Sequence, residues 1–263
     1  MVINISSSQN EKYKHFKALK QKKERVLSKQ YTVEGIKSVN DAIAAMVHIS
    51  ALVVSEEFYS KTDFDYPSDI KIYVISDNIF PALSTTETPS GIIAVIDIDS
   101  EKGFAPNPEK PYIYCDNVRD PGNLGTIIRT ADAAGFGGVL LSPDCVDLYN
   151  PKTVRSSMGS FFQIPIIEDF DYSCLSKLKQ QGFKLFAGIL DNDTVEYTEA
   201  DMTSPLIIVV GNEANGISND VTNIADVKVK IPIDGKAESL NAGVAAAILM
   251  YECRRQRKTL IHH

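Results

Sequence analysis

The sequence lacks the features that would place a protein in a membrane or in the secretory pathway. Among its 263 residues, no apolar run approaches the length of about 18 that a transmembrane helix requires. The first residues, Met1 to Asn4, do not show the basic and then apolar pattern of a secretory signal. These absences lead us to expect a cytoplasmic protein with no membrane partner.

Cysteine and histidine are scarce, with four of each. The cysteines lie far apart without a CxxC spacing, which favours small buried apolar residues over disulfide partners or metal ligands. They are Cys115, Cys145, Cys174 and Cys253. Only His15 and His48 are internal, and His262 with His263 at the end of the chain is typical of a tag remnant. The sequence therefore predicts no metal site and a reducing compartment.

The net charge of −7 is unevenly distributed. Residues 1–30 carry eight basic and two acidic side chains, so the remaining 233 residues carry a net charge of −13. The basic residues are Lys12, Lys14, Lys17, Lys20, Lys22, Lys23, Arg25 and Lys29. Such asymmetry is typical of a basic arm that contacts the phosphates of nucleic acid. A solvated helix that is merely rich in lysine explains the charge equally well.

A stretch rich in proline and glycine divides the chain into two parts. Its helix- and strand-breaking residues are Gly103, Pro106, Pro108 and Pro111. We interpret residues 100–111 as a linker between a domain over 1–99 and a domain over 112–263. With 44% hydrophobic residues, the chain can bury two modest cores.

Both parts alternate between apolar runs and helical patterns, which predicts two α/β domains. In the first, strands are predicted at Ile49–Val54, Ile70–Ile75 and Ile92–Ile98, with a helix at Ile36–Ala45. In the second, strands are predicted at Tyr112–Cys115, Val139–Leu141, Lys184–Leu190, Leu206–Val210 and Val227–Ile231. Helices between them end at Gly135, Gly159 and Gly182. We expect the second sheet to be mainly parallel.

The segment from Asp116 to Ala131 follows a strand and opens a helix. We predict that Asn123 caps this helix. The buried face of the helix should consist of Leu124, Ile127, Ile128 and Ala131, which follow the i, i+3, i+4, i+7 spacing. Arg129 falls off that face. The segment is either a polar binding loop followed by a functional arginine or an ordinary capped turn with a surface arginine.

The segment from Leu206 to Ser218 contains a buried strand followed by a loop bounded by Gly211 and Gly216. The end of a strand in a parallel sheet is a common ligand site. The glycine spacing imitates a P-loop, but Ile217 stands where the phosphate-binding lysine is required. Nucleotide triphosphate hydrolysis is therefore disfavoured.

The segment from Ile231 to Ile248 leads from a strand through a polar loop into a helix of small residues, which allow close approach of another backbone. Ser239, taken alone, is most simply the N-cap of that helix. The basic tail of the helix suits its C-terminal dipole without requiring RNA. That tail consists of Arg254, Arg255, Arg257 and Lys258.

These three segments together contain NxxDPxNxGxxxRTA, GNExxG and IPxxGxxxSLN. They closely resemble motifs 1, 2 and 3 of the SpoU (TrmH-like) RNA 2′-O-ribose methyltransferases of the SPOUT superfamily. The segment from Asn150 to Pro165 is similar to the family's intervening stretch, and Tyr31–Ile36 with Thr86–Gly91 look like its substrate-binding domain. The resemblance covers nearly the whole chain.

The resemblance implies an L30e-like RNA-binding domain followed by an α/β catalytic domain with a deep trefoil knot. It implies S-adenosylmethionine as methyl donor, RNA as substrate and a homodimer formed through the catalytic domain. A separate N-terminal domain with a basic leading helix resembles the branch that modifies rRNA. The alternatives are a tRNA ribose 2′-O-methyltransferase and a non-catalytic RNA-binding protein on the same fold.

The resemblance also assigns roles to residues. Those matching catalytic positions are Arg129, Asn123, Glu213, Ser239 and Asn241. Those matching donor-binding positions are Gly188, Ile189, Leu190, Gly211, Asn212, Ile231, Leu240 and Asn241. For RNA we predict contacts from Lys12, Lys17, Lys20, Lys23 and Arg119. Because arginine stays charged at accessible pH, we expect Arg129 to hold a phosphate and stabilise the developing alkoxide, with the proton acceptor unassigned.

Overall fold

Contacts between Cα atoms divide the chain into two units. Unit 1 comprises Met1–Lys102 and Tyr149–Phe162, and unit 2 comprises Gly103–Leu148 and Gln163–His263. The computed structural model describes residues 1–99, 103–191 and 193–261, and the side chains up to residue 258. The first three residues of the predicted linker and the two terminal histidines lie outside the described residues.

The contacts group Tyr149–Phe162 with unit 1, although this segment lies inside the predicted catalytic domain. Its aromatic side chains explain the grouping, since Tyr149 and Phe161 both pack against the ring of Tyr31, with centroid distances of 4.8 and 5.7 Å. The division of the chain into an RNA-binding and a catalytic domain stays a prediction.

The helices and strands alternate along both units. The strands are β1 Val2–Ile5, β2 Gln30–Glu34, β3 Ile49–Ser55, β4 Ile72–Ile75, β5 Ile92–Asp97, β6 Tyr112–Cys115, β7 Gly138–Leu141, β8 Ile166–Ile167, β9 Lys184–Gly188, β10 Val195–Glu196, β11 Leu206–Val210 and β12 Val227–Lys230. The helices are α1 Glu11–Ala18, α2 Lys22–Ser28, α3 Ile36–Ala44, α4 Glu56–Lys61, α5 Pro121–Ala134, α6 Pro151–Ser156, α7 Tyr172–Gln180, α8 Asn219–Ile224 and α9 Ala242–Ile261. Short 3₁₀ turns lie at Phe80–Ala82 and Ser160–Phe162.

Unit 1 is a mixed sheet in the order β1-β4-β3-β5-β2, with helices packed against it. Strand β4 pairs parallel with β1 and β3, whereas β5 pairs antiparallel with β3 and β2. The prediction of an α/β unit is confirmed. Strands β1 and β2 were missed, because they are short and flanked by polar residues that hide their periodicity.

The basic segment folds as two helices rather than the single leading helix predicted. The side chain of Asn10 caps α1 by accepting from the amides of Lys12 and Tyr13. The chain turns at Leu19, and α2 begins at Lys22. On the inner side of α1, Tyr13 and Phe16 are buried in the core of the sheet together with Leu19. The arm is therefore part of the folded unit.

Unit 2 is a parallel sheet in the order β10-β12-β9-β11-β6-β7-β8, which confirms the predicted sheet type. All residues of β6 and β11 are buried, as continuous apolar runs in parallel sheets require. Helix α5 ends as predicted at Gly135, whose φ of 78° is left-handed. Within the described residues, no helix is both long and apolar enough to cross a membrane.

Helix α9 packs closely against α5. At their contact, a Cβ on Gly243 would lie 3.2 Å from Thr126 Cγ2, so the small residue permits the approach. The basic end of α9 has partners within unit 2, which agrees with the interpretation that its charge does not require RNA. Arg255 pairs with Glu252, and Arg257 Nη1 donates to the carbonyl oxygen of Ser204.

Candidate active site

The N-terminus of α5 is capped by Asp120, not by Asn123. The Asp120 side chain accepts from the amide of Asn123 at 2.8 Å, and Pro121 occupies the first turn. The prediction for Asn123 is wrong because an acidic cap three residues earlier, followed by proline, starts the helix sooner. Asn123 is thereby inside the helix, buried at 8% exposure, and its amide is available for tertiary contacts.

The predicted buried face of α5 is confirmed. Its four residues are fully buried: Leu124, Ile127, Ile128 and Ala131. Arg129 lies off that face and is exposed. Truncation of its side chain should therefore leave the core of unit 2 intact.

The loop from Gly211 to Gly216 is closed by its own backbone. The amides of Asn212 and Gly216 each donate to the other residue's carbonyl oxygen, at 2.9 Å. The Asn212 side chain accepts from the amides of Ala214 and Asn215 and donates to the carbonyl oxygen of Asn117. These bonds give the loop one defined shape and attach it to the chain that follows β6.

A second attachment holds the far end of this loop. The amide of Ser218 donates to the buried carboxylate of Asp116 at 2.6 Å. The next residue, Asn117, has a φ of 59°, a left-handed value that asparagine adopts more readily than most residues. Sequence reasoning assigned no role to Asp116 or Asn117. The signal that could have identified them is the high density of polar residues in the first motif.

Glu213 joins the loop to the start of α5. Its carboxylate accepts from the backbone amides of Arg119 and Asp120 at 3.2 and 3.3 Å, and from Asn123 Nδ2 at 2.8 Å. Burial would by itself raise the pKa of Glu213, but the hydrogen bonds from Asn123 and the backbone amides outweigh it, and the pKa lies below its ordinary value. Glu213 is therefore ionised at neutral pH.

Asn241 extends this connection to the third motif. Its Nδ2 donates to Asn123 Oδ1 at 2.8 Å, and its Oδ1 accepts from the amides of Gly243 and Val244. Asn241 thus caps α9, and the alternative that Ser239 is the N-cap is wrong, because α9 begins only at Ala242. The hydrogen bonds therefore run in one direction, from the backbone amides of α9 through Asn241 and Asn123 to the carboxylate of Glu213. This direction is fixed because a backbone amide only donates and a carboxylate only accepts.

A cavity of about 460 Å³ opens beside this network in unit 2. Predicted donor-binding residues that line it are Gly188, Ile189, Leu190, Gly211, Asn212, Ile231 and Leu240. Glu213 and Ser239 line it as well, whereas Asn123, Arg129 and Asn241 are not among the described residues of its wall. Asn241 is instead occupied in the cap and in the bond to Asn123.

Sequence reasoning missed part of this wall. Further lining residues are Val210, Ala214, Asn215, Gly216, Ile217, Val229, Ile233, Glu238, Ala242, Ala245 and Leu249. The last three recur at helical spacing on α9, a signal that the alanine-rich sequence carried. The charged side chains along the described wall are both carboxylates, Glu213 and Glu238. A cation therefore suits this cavity electrostatically better than an anion.

The residues predicted to bind RNA are exposed in both units. In unit 1 they are Lys12, Lys17, Lys20 and Lys23. Lys20 Nζ donates to the carbonyl oxygen of Ala82 at 2.9 Å, so this lysine is already engaged. In unit 2 the side chain of Arg119 is exposed while its backbone amide holds Glu213. Their role in RNA binding stays a prediction.

Replacing Asn123 with aspartate is expected to destabilise unit 2 in a pH-dependent way. A second carboxylate would stand where Nδ2 now lies 2.8 Å from Glu213 Oε1. One of the two groups would keep its proton to a higher pH, so its folded pKa would rise above the unfolded value of about 4. The penalty is absent below that unfolded pKa, where both groups are protonated, and grows as the pH rises. Because Glu213 is exposed, solvent screening limits it to about 1 kcal/mol.

Urea unfolding of the wild type, Asn123→Asp and Asn123→Ser between acidic and neutral pH measures this effect. The serine variant loses the hydrogen bond that helps lower the pKa of Glu213, so its difference from the wild type should also increase with pH. The increase should be smaller than for the aspartate variant, which adds a second negative charge beside Glu213. An equal pH dependence in the two variants would contradict the proposed contact with Glu213.

Comparison with known proteins supplies the family. The model of the SpoU rRNA Methylase family matches residues 110–251, more than half of the chain, and the MRM3-like substrate binding domain matches residues 10–94. The protein belongs to the SpoU rRNA methylase family. The resemblance inferred from the three motifs is thereby confirmed.

Two of the similar proteins match over both units, and a third matches over little more than half of the chain. The 23S rRNA (guanosine(2553)-2'-O)-methyltransferase RlmP of Bacillus subtilis (strain 168) is 37% identical over 95% of this chain and 98% of that protein. The AdoMet-bound rRNA methyltransferase from Sinorhizobium meliloti is 31% identical, with a TM-score of 0.85 over 97% of this chain and 98% of its own. The TrmH/SpoU tRNA modifying enzyme of A. aeolicus is 32% identical, but the match covers 58% of this chain and 77% of that one, with a TM-score of 0.51.

Proposed function

We propose that the protein is an S-adenosylmethionine-dependent rRNA methyltransferase that transfers a methyl group to a ribose 2′-hydroxyl. The observation that carries the proposal is the joining of all three family motifs by Glu213, Asn123 and Asn241 beside one cavity. An intact network of this kind argues against a non-catalytic RNA-binding protein. Similarity over both units to rRNA enzymes, and over little more than half the chain to the tRNA enzyme, favours rRNA.

The cavity fits the donor in size and charge. Its volume of about 460 Å³ lies within the range of roughly 300–1,000 Å³ that is usual for small-molecule sites. When bound, the donor supplies a methyl group on a positively charged sulfur. We assign its binding to the backbone of the Gly211–Gly216 loop, to Gly188–Leu190 at the end of β9 and to Ile231 and Leu240, with the carboxylates of Glu213 and Glu238 favouring its positive charge.

Glu213 acts in this proposal by positioning other groups. Its carboxylate already accepts three hydrogen bonds, and its low pKa makes it a poor proton acceptor. The same bonds fix the orientation of Asn123, which in turn fixes Asn241. Ser239, on the cavity wall, is left to contact the donor or the ribose.

Arg129 supplies the positive charge that the reaction needs. Transfer of a methyl group requires the ribose hydroxyl to lose its proton and the resulting oxygen to be aligned with the methyl carbon. A guanidinium remains protonated at accessible pH, so Arg129 stabilises the developing negative charge and holds a neighbouring phosphate with two parallel hydrogen bonds. Its exposed position on α5 leaves it accessible to RNA.

Three further assignments follow from the family resemblance. We propose that unit 2 contains the trefoil knot and forms a homodimer, and that the protein acts in the cytoplasm, where its four unpaired cysteines would stay reduced. Val244 and Tyr251, each 47% exposed and two turns apart on α9, provide an apolar face for the second copy. A monomeric mass by light scattering would contradict the dimer.

The proposed function predicts donor binding that does not depend on metal, followed by methylation of a ribose. Calorimetry with S-adenosylmethionine in the presence of a chelator should detect binding. Methylation of total RNA with a labelled donor, followed by mapping of the modified nucleotide, should then identify one 2′-O-methylated rRNA position. Absence of binding at millimolar donor would overturn the proposal, and a modified base or a modified tRNA would overturn the assigned atom or substrate.

A further inference from the structure

Helix α2 in unit 1 is oriented against the ordinary preference of its side chains. Arg25 is buried with 3% of its surface exposed, whereas Val26 and Leu27 are 63% and 69% exposed. In an amphipathic helix the apolar side chains ordinarily form the buried face and the charged ones the exposed face. The exposed pair Val26 and Leu27, here called the apolar edge of α2, therefore needs an explanation outside the packing of unit 1.

Arg25 fixes this orientation. Its Nη1 donates to the carbonyl oxygens of Leu19 and Lys20, each at 2.8 Å. These carbonyls lie at the C-terminal end of α1, where the helix cannot satisfy its own last acceptors. Rotating α2 to bury the apolar edge would remove a buried charge from its hydrogen-bond partners, which is costly. The hydrogen bonds of Arg25 therefore keep the apolar edge on the outer side of the helix.

The surroundings of the apolar edge are basic. Lys22 and Lys23 precede it in the same helix and Lys29 follows it, and all three are exposed. The acidic residue of this helix, Glu24, is half-buried. An apolar surface bordered by lysines suits a partner that offers both negative charge and apolar area.

Unpaired nucleotides combine these two properties. Their phosphates carry the charge, and their bases expose flat faces that in a duplex are stacked out of reach. A second copy of this chain would instead bring like charges together at this surface. Resting on the proposed function, we propose that the apolar edge of α2 packs against unpaired bases of the substrate RNA, while the neighbouring lysines bind the phosphates.

The salt dependence of binding separates the two contributions. Lysine–phosphate contacts release counterions, so each adds to the slope of log K against log salt, whereas apolar contacts do not. Replacing Val26 with threonine and Leu27 with glutamine keeps side chains of similar size and leaves the lysines in place. The full-length double variant should fold, because both positions are exposed.

Affinities of the full-length protein are measured for a short single-stranded RNA and for the duplex with its complement, across a range of salt. We expect the double variant to bind the single strand about tenfold more weakly, which corresponds to losing the burial of one to two methylene groups. The salt slope should not change. Its affinity for the duplex should not change. A variant with glutamine at Lys22, Lys23 and Lys29 should instead flatten the salt slope, because these are the lysines that border the apolar edge.

Met46→Gln is the matched control, since Met46 is an exposed apolar residue of unit 1 outside the arm, at 90% exposure. It should bind both RNAs as the wild type does. Equal affinity of the double variant and the wild type for the single strand would overturn the proposal, as would equal losses for strand and duplex. Loss of binding to phosphatidylserine vesicles, or of dimer mass, with RNA affinity unchanged would assign the edge to a membrane or a second copy. Donor binding and RNA methylation by the wild type test the proposed function separately, because neither measurement depends on the apolar edge.

Discussion

Replacing Arg129 with alanine is expected to lower the single-turnover rate of methylation by about 10²–10³-fold, as for other preorganised groups that stabilise a developing charge. Fold and donor binding should persist. The side chain is exposed, lies off the buried face of α5 and is not among the described residues that line the cavity. The loss should therefore appear in the rate of methyl transfer and not in the affinity for the donor.

Two variants sharpen this experiment. Arg129→Lys keeps the charge but should restore little activity, because an ammonium cannot make two parallel hydrogen bonds with a phosphate. Arg254→Ala removes another exposed arginine of unit 2, one placed over the ring of Tyr251, and should leave the rate unchanged. A rate near that of the wild type in Arg129→Ala would remove Arg129 from the mechanism, and loss of donor binding would make its role structural.

Local periodicity predicted the elements of the fold because burial repeats along the chain. The four apolar residues of α5 and the continuous apolar run of β11 are examples, and both lie where the sequence indicated. The end of α5 follows from Gly135, which adopts the left-handed conformation that glycine favours. The position of the cavity at the end of β11 could also be predicted, because the ends of parallel strands converge on one edge of a sheet.

The connections within the site could not be predicted in the same way. Asp120, Asn123, Ser239 and Asn241 are all residue types that can cap a helix, and local sequence does not decide among them. The decision depends on Glu213, about 90 residues away from Asn123, whose carboxylate engages that amide. Likewise the burial of Arg25 depends on the carbonyls left at the end of α1, a tertiary contact opposed to the hydrophobic pattern.

Replacing Gly211 with alanine is expected to reduce donor affinity by about 100-fold, the upper end of what an overpacking penalty of about 1–3 kcal/mol allows. A Cβ at this position would overlap the carbonyl carbon and oxygen of Gly216 and the amide nitrogen of Ile217. These are backbone atoms, and the paired bonds between Asn212 and Gly216 hold them in place. The loop can accommodate the alanine side chain only by opening.

Opening the loop would act first on the donor site and then on catalysis. The Gly211–Gly216 backbone lines the cavity, so its displacement removes contacts on which donor binding rests in our proposal. The same displacement moves Glu213 away from the amides of Arg119 and Asp120 and releases Asn123. We therefore expect both donor affinity and turnover to fall, in contrast to Arg129→Ala, where only turnover falls.

The matched control is Gly235→Ala, in the loop that precedes α9. A Cβ on Gly235 would meet nothing within 4 Å among the described atoms, so the same chemical change costs little there. Calorimetric titration of the donor into both variants, with RNA binding by the arm of unit 1 as a measure of intact folding elsewhere, separates the outcomes. If Gly211→Ala binds the donor as tightly as Gly235→Ala does, then the donor does not depend on the closed loop. The cavity assigned to it would then be the wrong one.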